Sequence, residues 1–170
     1  MLETKKKKIS LKNLDTIFFD FDGVLTDNKV YINQQGEEMV QCNRADGLAF
    51  EVIKKLKINC FILSTEKSDI VLTRAKKLKI SAFNNLSDKF LKVEELAKLK
   101  NFSISRSLYI GNDLNDYKAM NLCGYSACPS DSHKNVKGIA SHLLKSKGGQ
   151  GVAREVVEDV LGLNLDEILF

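Results

Sequence analysis

Between residues 15 and 145, short continuous apolar runs alternate with longer stretches in which apolar residues recur at helical spacing, and this alternation restricts the fold most. Short apolar runs without polar alternation read as strands buried on both faces, which is the condition inside a parallel sheet covered by helices. The pattern predicts strands at 16–19, 59–63, 82–83, 108–110, 125–127 and 142–144. Ala49, Val52, Ile53 and Leu56 form one helical stripe behind an expected N-cap at Asp46. A second stripe, Ile70, Leu72, Ala75 and Leu78, follows Ser68 and Asp69, and Asp88 opens a third helix over 89–100. The class is α/β, a Rossmann-like parallel sheet with helices on both faces.

One insertion interrupts the rhythm. Residues 29–32 and 38–40 read as two strands around the polar turn 33–36, a protruding β-hairpin over about 28–41. Val30, Ile32, Met39 and Val40 give it more apolar surface than an isolated hairpin can hide, so a subunit partner is expected to cover it. A chain of 170 residues with a single proline and no internal repeat has room for one ordinary domain. We assign residues 1–14 to a disordered basic tail, 15–162 to the domain and 163–170 to a C-terminal tail.

The net charge of +4 comes from 26 basic and 22 acidic residues, and the four lysines at 5–8 account for all of it. The body is therefore near neutral, and no nucleic-acid partner is expected. The first fourteen residues lack the apolar stretch of a secretory signal, and the longest apolar runs fall far short of the roughly 20 residues that span a bilayer. Neither export nor membrane insertion is expected, and the protein is placed in the cytoplasm. Cys42, Cys60, Cys123 and Cys128 show no C-x-x-C spacing and read as reduced buried thiols.

The chemistry concentrates in the stretch FFDFDGVLTD over 18–27, where two carboxylates two residues apart follow an apolar strand. Ligands in parallel sheets bind beyond the strand carboxyl ends. Continued extension puts Asp20 and Asp22 on one side of the chain, with Gly23 letting the backbone turn away. One carboxylate can attack an electrophile while the other serves as acid and then base. A lone D-x-D is more often a cap and a surface turn; its companions at later strand ends change that balance. Ser64 follows Cys60-Phe61-Ile62-Leu63, Lys89 follows Asp88, and Gly111-Asn112-Asp113-Leu114-Asn115-Asp116 follows Leu108-Tyr109-Ile110.

This set, in this order, resembles the four motifs of the haloacid dehalogenase superfamily of phosphatases. The resemblance implies that Asp20 is phosphorylated, that Asp22 protonates the leaving alcohol, and that Ser64 and Lys89 hold the phosphoryl oxygens. It further implies Mg²⁺ held by Asp20, the backbone carbonyl of Asp22, and Asp113. An oxygen-rich anionic site suits Mg²⁺, and residues 15–28 offer zinc no His or Cys. His133 and His142 read as ordinary histidines. The commonest fourth motif has Asp directly after Gly, where this chain has Asn112. The ligand within Asn112, Asp113 and Asp116 is therefore open; Asp113 is favoured for its charge, with Asp116 orienting bound water or Lys89.

Only 24 residues separate Ser64 from Lys89, too few for the cap domain that many members insert. A capless chain with a hairpin after D-x-D-G-V-L-T-D resembles the 3-deoxy-D-manno-octulosonate 8-phosphate phosphatase group of lipopolysaccharide synthesis. That group implies a homotetramer with sites shared between subunits and a sugar phosphate as substrate. Asp46-Gly47 and the segment 148–155 extend the likeness, and the glycine-rich segment is expected to be a mobile tail reaching a neighbouring site. Within the group, Ser64-Thr65-Glu66-Lys67 is more like the nine-carbon ulosonate 9-phosphate phosphatases of sialic-acid-type pathways than the usual Ser-Gly-Arg. That likeness implies sugar contacts from Thr65, Glu66, Arg74 and Lys77, and we favour the nine-carbon substrate on this ground. Two rivals are a receiver-like signalling domain and an inactive assembly module. Asp22 argues against the first because it can activate hydrolytic water, and the intact aspartate pair argues against the second.

Overall fold

The computed structural model describes residues 9–170. Thr16–Asp20 forms β1, and all five of its residues are buried because strands flank it on both sides. Asn59–Leu63 (β4) lies on one side, followed by Ser81–Phe83 (β5) at the edge. Ser107–Ile110 (β6), Tyr125–Cys128 (β7) and His142–Leu143 (β8) lie on the other. Every pairing is parallel, in the order β5-β4-β1-β6-β7-β8. The order reverses at β1, so the crevice expected at such a switch point opens beyond its carboxyl end. Register fixes what lines that crevice: Asp20 pairs with Leu63 and Phe19 with Ile110. Ser64 and Gly111 therefore emerge beside the residues that follow β1.

Alternation along β1 divides the core into two layers. Ile17 and Phe19 face a cluster with Phe50, Val52 and Ile53 of Ala45–Lys55 (α1), Val71 and Ala75 of Ile70–Leu78 (α2), and Val152 and Val156 near the C-terminus. Phe18 faces the other cluster, with Val93 and Leu96 of Lys89–Lys100 (α3), Met120 of Tyr117–Leu122 (α4) and Val136 of Lys134–Ile139 (α5). Its ring stacks between Phe61 and Tyr109, with centroids at 5.6 and 5.9 Å. Burying such a ring fully is worth about 1.5–3 kcal/mol over leaving it exposed.

Helix starts follow local chemistry. Asp88 caps α3 as expected, its carboxylate accepting from the N–H groups of Phe90 and Leu91. Asp46 is not an N-cap: α1 begins one residue earlier, Asn43 Oδ1 accepts from Ala45 N–H at 2.9 Å, and Asp46 lies buried within the first turn. In α2 the hydroxyl of Ser68 accepts from Ile70 N–H, and Leu72 is exposed while its neighbour Val71 takes the buried place.

Several boundaries differ from expectation. Ile9 and Leu14 are buried against the core around a single 3-10 turn at Leu11–Asn13, so residues 9–14 are not a disordered tail; residues 1–8, with the lysine run, lie outside the described residues. Residues 163–170 are not a free tail either. They carry Leu165–Leu169 (α7), whose Leu165 is buried, and Lys55 Nζ donates to the carbonyls of Ile168 and Leu169 at 3.0 and 2.9 Å. The hairpin is shorter than expected, Tyr31–Ile32 (β2) against Glu38–Met39 (β3), and its turn is organised by Asn33 Oδ1, which accepts from Gln35 and Glu37 N–H.

The glycine-rich segment is packed within its own chain rather than reaching outward. Gly149 N–H donates to the Val24 carbonyl at 3.0 Å and Gly148 N–H to Asp131 Oδ1 at 3.0 Å, while a Cβ at Gly148 would overlap the Gly23 carbonyl. It leads into Val152–Glu155 (α6), which continues as a π-turn over Val156–Val160. All four cysteines are free; Cys123 and Cys128 are buried and Cys42 and Cys60 partly so. Among the described residues, no helix is long and apolar enough to cross a membrane.

Candidate active site

The chain leaves β1 in a tight loop because the Phe21 carbonyl accepts from the N–H groups of Val24, Leu25 and Thr26. Gly23 sits at φ +80°, a conformation that suits glycine. Thr26 Oγ1 closes the loop by accepting from Gly23 N–H at 3.2 Å. Asp20 is thereby held at the floor of the crevice, with Asp22 above it at the mouth and only partly buried.

The two oxygens of Asp20 face different neighbours. Oδ1 accepts from Phe21 N–H at 2.7 Å and from Lys89 Nζ at 2.6 Å. Lys89, at the start of α3, is 1% exposed and reaches Asp116 Oδ1 at 2.7 Å. Asp116 in turn accepts from Tyr109 OH at 3.0 Å and from the N–H groups of Asn112 and Asp113 at 2.9 and 3.3 Å. It therefore fixes both the ammonium and the loop after β6. Oδ2 of Asp20 lies 3.0 Å from the end of the Asn112 carboxamide, which is also 3.0 Å from the Asp22 carbonyl oxygen.

Asp113, favoured from sequence as the charged metal ligand, is not in this cluster. It is exposed, and its Oδ1 accepts from Leu114 N–H at 2.7 Å. Among the described residues, no group of three His, Cys, Asp or Glu side chains converges to hold a metal ion. The residue that the fold turns inward is Asn112, because the hydrogen bonds to Asp116 wind the loop so that position 113 points out.

Ser64 is buried one residue beyond β4, and its Oγ accepts from Glu66 N–H at 3.1 Å, which leaves the hydroxyl proton free to donate. Thr65 Oγ1 accepts from Asn115 Nδ2 at 3.2 Å and ties this turn to the loop after β6. Glu66 shares a cavity of about 240 Å³ with Asp22, walled by Phe21, Asn28, Val30 and Glu38. Arg74 and Lys77 are not brought to it within one copy of the chain. They line a separate cavity of about 320 Å³ with Arg44, Lys54 and Lys79, and Arg74 Nη2 donates to the Asn43 carbonyl at 2.8 Å.

Burial pushes the Asp20 carboxyl well up, the charge of Asp116 adds to this, and Lys89 opposes it. Burial alone would discharge Lys89, but the two carboxylates against it hold the ammonium above its ordinary range. Asp22 is raised by burial and then by Glu66, with Lys89 and the Ser64 hydroxyl pulling the other way. Burial thus raises both carboxyls, Asp20 the more strongly, and what distinguishes the two is position: Asp20 lies against the Lys89 ammonium at the crevice floor, and Asp22 is partly buried at its mouth.

Sequence reasoning missed Tyr109 and underrated Asn112. A tyrosine inside an otherwise apolar buried strand was the available signal, since its hydroxyl must find a partner. Thr26 was quoted in the motif without a role, yet its hydroxyl sets the loop.

Paired aspartates at the tip of the central strand, with a buried ammonium and a hydroxyl at adjoining tips, bring together the groups that hydrolysis of an anionic ester requires. The family model of haloacid dehalogenase-like hydrolases matches residues 50–156, and the chain belongs to that family. It is 30% identical over 150 residues to 3-deoxy-D-manno-octulosonate 8-phosphate phosphatase KdsC of Yersinia pestis, covering 88% of this chain and 80% of the relative. A HAD family hydrolase from Streptomyces avermitilis superposes with a TM-score of 0.91 at 34% identity, over 95% of this chain and 92% of that one. The 3-deoxy-D-manno-octulosonate 8-phosphate phosphatase of Moraxella catarrhalis, solved with a magnesium ion, a phosphate ion and a KDO molecule, gives 0.85 at 28% identity, over 94% and 90%. The curated relative named here is an eight-carbon enzyme, and the nine-carbon expectation drawn from Ser64-Thr65-Glu66-Lys67 gains no support from it.

Proposed function

We propose that this protein is a Mg²⁺-dependent phosphomonoesterase that hydrolyses 3-deoxy-D-manno-octulosonate 8-phosphate through a phosphorylated Asp20. The observation that carries the reading is the division of Asp20: Oδ1 on Lys89, Oδ2 on the end of the Asn112 carboxamide, which also meets the Asp22 carbonyl. The residues present fit the cation. Oxygens that neighbour each other around Mg²⁺, each at about 2.0–2.1 Å from the ion, lie roughly 3 Å apart. The amide end of Asn112 stands 3.0 Å from both Asp20 Oδ2 and the Asp22 carbonyl. Asp20, the Asp22 carbonyl and Asn112 would hold the ion, with the neutral amide in place of a third charged ligand. When bound, the ion offsets repulsion between the phosphomonoester dianion and the attacking carboxylate.

An Asp20 oxygen attacks phosphorus and the bond to the sugar oxygen breaks, while Asp22 gives its proton to the departing alkoxide. Water then attacks the same phosphorus and Asp22 takes its proton. The bond from phosphorus to Asp20 breaks, which releases inorganic phosphate and restores the carboxylate. Lys89 and the Ser64 hydroxyl hold the phosphoryl oxygens, Asp116 and Tyr109 position Lys89, and Thr65 steadies the turn after β4. A sugar seated over Asp22 meets Glu66, and Arg74 and Lys77 serve a site only where another subunit presents them. The exposed Val30, Tyr31, Ile32 and Met39 of the hairpin support a homotetramer that brings subunits together in this way.

Phosphate release from equal concentrations of the eight-carbon 8-phosphate and nine-carbon ulosonate 9-phosphates, with Mg²⁺, tests the assignment. The expected result is a kcat/KM at least tenfold higher for the eight-carbon acid. The reverse order would transfer the assignment to the nine-carbon acids, which Glu66 at the cavity mouth keeps as the second reading. No release from any of them would overturn both.

A further inference from the structure

Asn112 is buried, and its backbone is fixed at both ends: its N–H donates to Asp116 Oδ2 at 2.9 Å and its carbonyl accepts from His133 N–H at 2.9 Å. Rotation about the bond from Cβ to Cγ exchanges the two ends of the carboxamide in place, and that torsion is broad and roughly two-fold for asparagine. The end turned into the crevice meets Asp20 Oδ2 and the Asp22 carbonyl, each at 3.0 Å. Both are acceptors. An amide nitrogen there has one proton for each of them, whereas an amide oxygen there makes three oxygens that face one another with nothing between. Conversely, a cation in the crevice repels the amide nitrogen and requires the oxygen. The opposite end of the carboxamide lies over Gly23, where a Cβ would overlap it. The bare glycine leaves a slot for either end of the planar group.

We infer that Asn112 is a reversible ligand, its carboxamide turned nitrogen-inward onto Asp20 and the Asp22 carbonyl without the cation and oxygen-inward with it. The amide then acts as a stand-in for part of the cation's charge in the metal-free protein, and metal binding must displace two hydrogen bonds. An aspartate at this position could not do this, since an ionised carboxylate has no proton to give. The inference rests on the cation site of the proposed function.

The test is an Mg²⁺ titration of the whole chain labelled with ¹⁵N and ¹³C, in which the Asn112 side-chain NH₂ signals are assigned through their own Cβ. The metal-free protein is expected to show both protons hydrogen-bonded and slow to exchange with solvent. Saturation with Mg²⁺ is expected to shift the pair and raise exchange at least tenfold, together with shifts of the Phe21 and Gly23 backbone amides. If those backbone amides respond while the Asn112 pair keeps its shift and protection, the cation site stands and the turning amide is wrong. If neither responds at saturating Mg²⁺, the cation site itself is wrong and the inference falls with it.

Discussion

Asp46 shows how one buried group is felt across pH. Its Oδ1 accepts from Arg154 N–H at 3.2 Å, its Oδ2 has no partner, and burial raises the carboxyl to about 6 against hydrogen bonds from Arg154 and Ala153 and the charge of Arg74. The folded state therefore holds this proton more tightly than the unfolded chain, so stability falls as pH rises from about 4 to about 6, by up to about 3 kcal/mol. Urea denaturation of Asp46→Asn at pH 4.5 and 7.5 is expected to lose most of that difference; an unchanged slope would assign it to other groups. Lys89→Met leaves Asp20 and Asp116 facing each other without the ammonium, and should cost about 3–5 kcal/mol on the same measurement. Tyr109→Phe removes one neutral donor to Asp116 and should cost about 1 kcal/mol. Its kcat should fall while KM for the phosphate ester holds, because Tyr109 acts through Asp116 and Lys89.

At the scale of the elements, the buried strands were legible because their apolar residues are continuous, and the strand-end motifs were legible because a parallel sheet delivers its ligands there. What stayed hidden depended on geometry that spacing does not encode. Asp46 reads as a cap because an acidic residue before an apolar stripe usually is one; only the approach of α6 shows that it is buried inside the first turn. Asp113 reads as the better ligand by charge, but Asp116 winds its loop so that Asn112 faces Asp20. The glycines at 148–151 read as flexible because composition alone cannot show the backbone of residues 23–27 against them. Gly149 has φ +70° and a Cβ there would overlap Asp27 N. Gly149→Val should therefore lower the melting temperature by several degrees, as a strained substitution of about 2 kcal/mol would in a domain of this size. A change within one degree would mean that the segment is loosely held.

The whole molecule joins a sheet whose switch point presents Asp20 to a hairpin that its own chain leaves uncovered. On the proposed homotetramer, Tyr31→Ser combined with Ile32→Ser is expected to give smaller species than the unaltered chain in sedimentation velocity, with the fold retained by circular dichroism. An unchanged sedimentation coefficient would mean that subunits meet elsewhere or not at all. The most direct measurement is made on one atom of the site: acid quenching within the first turnover of the eight-carbon 8-phosphate, followed by mass spectrometry of the peptide that spans residues 16–29. The account predicts one phosphoryl group on Asp20, absent in Asp20→Asn, which also releases no phosphate. Steady phosphate release from Asp20→Asn, or turnover with that peptide never modified, would contradict it.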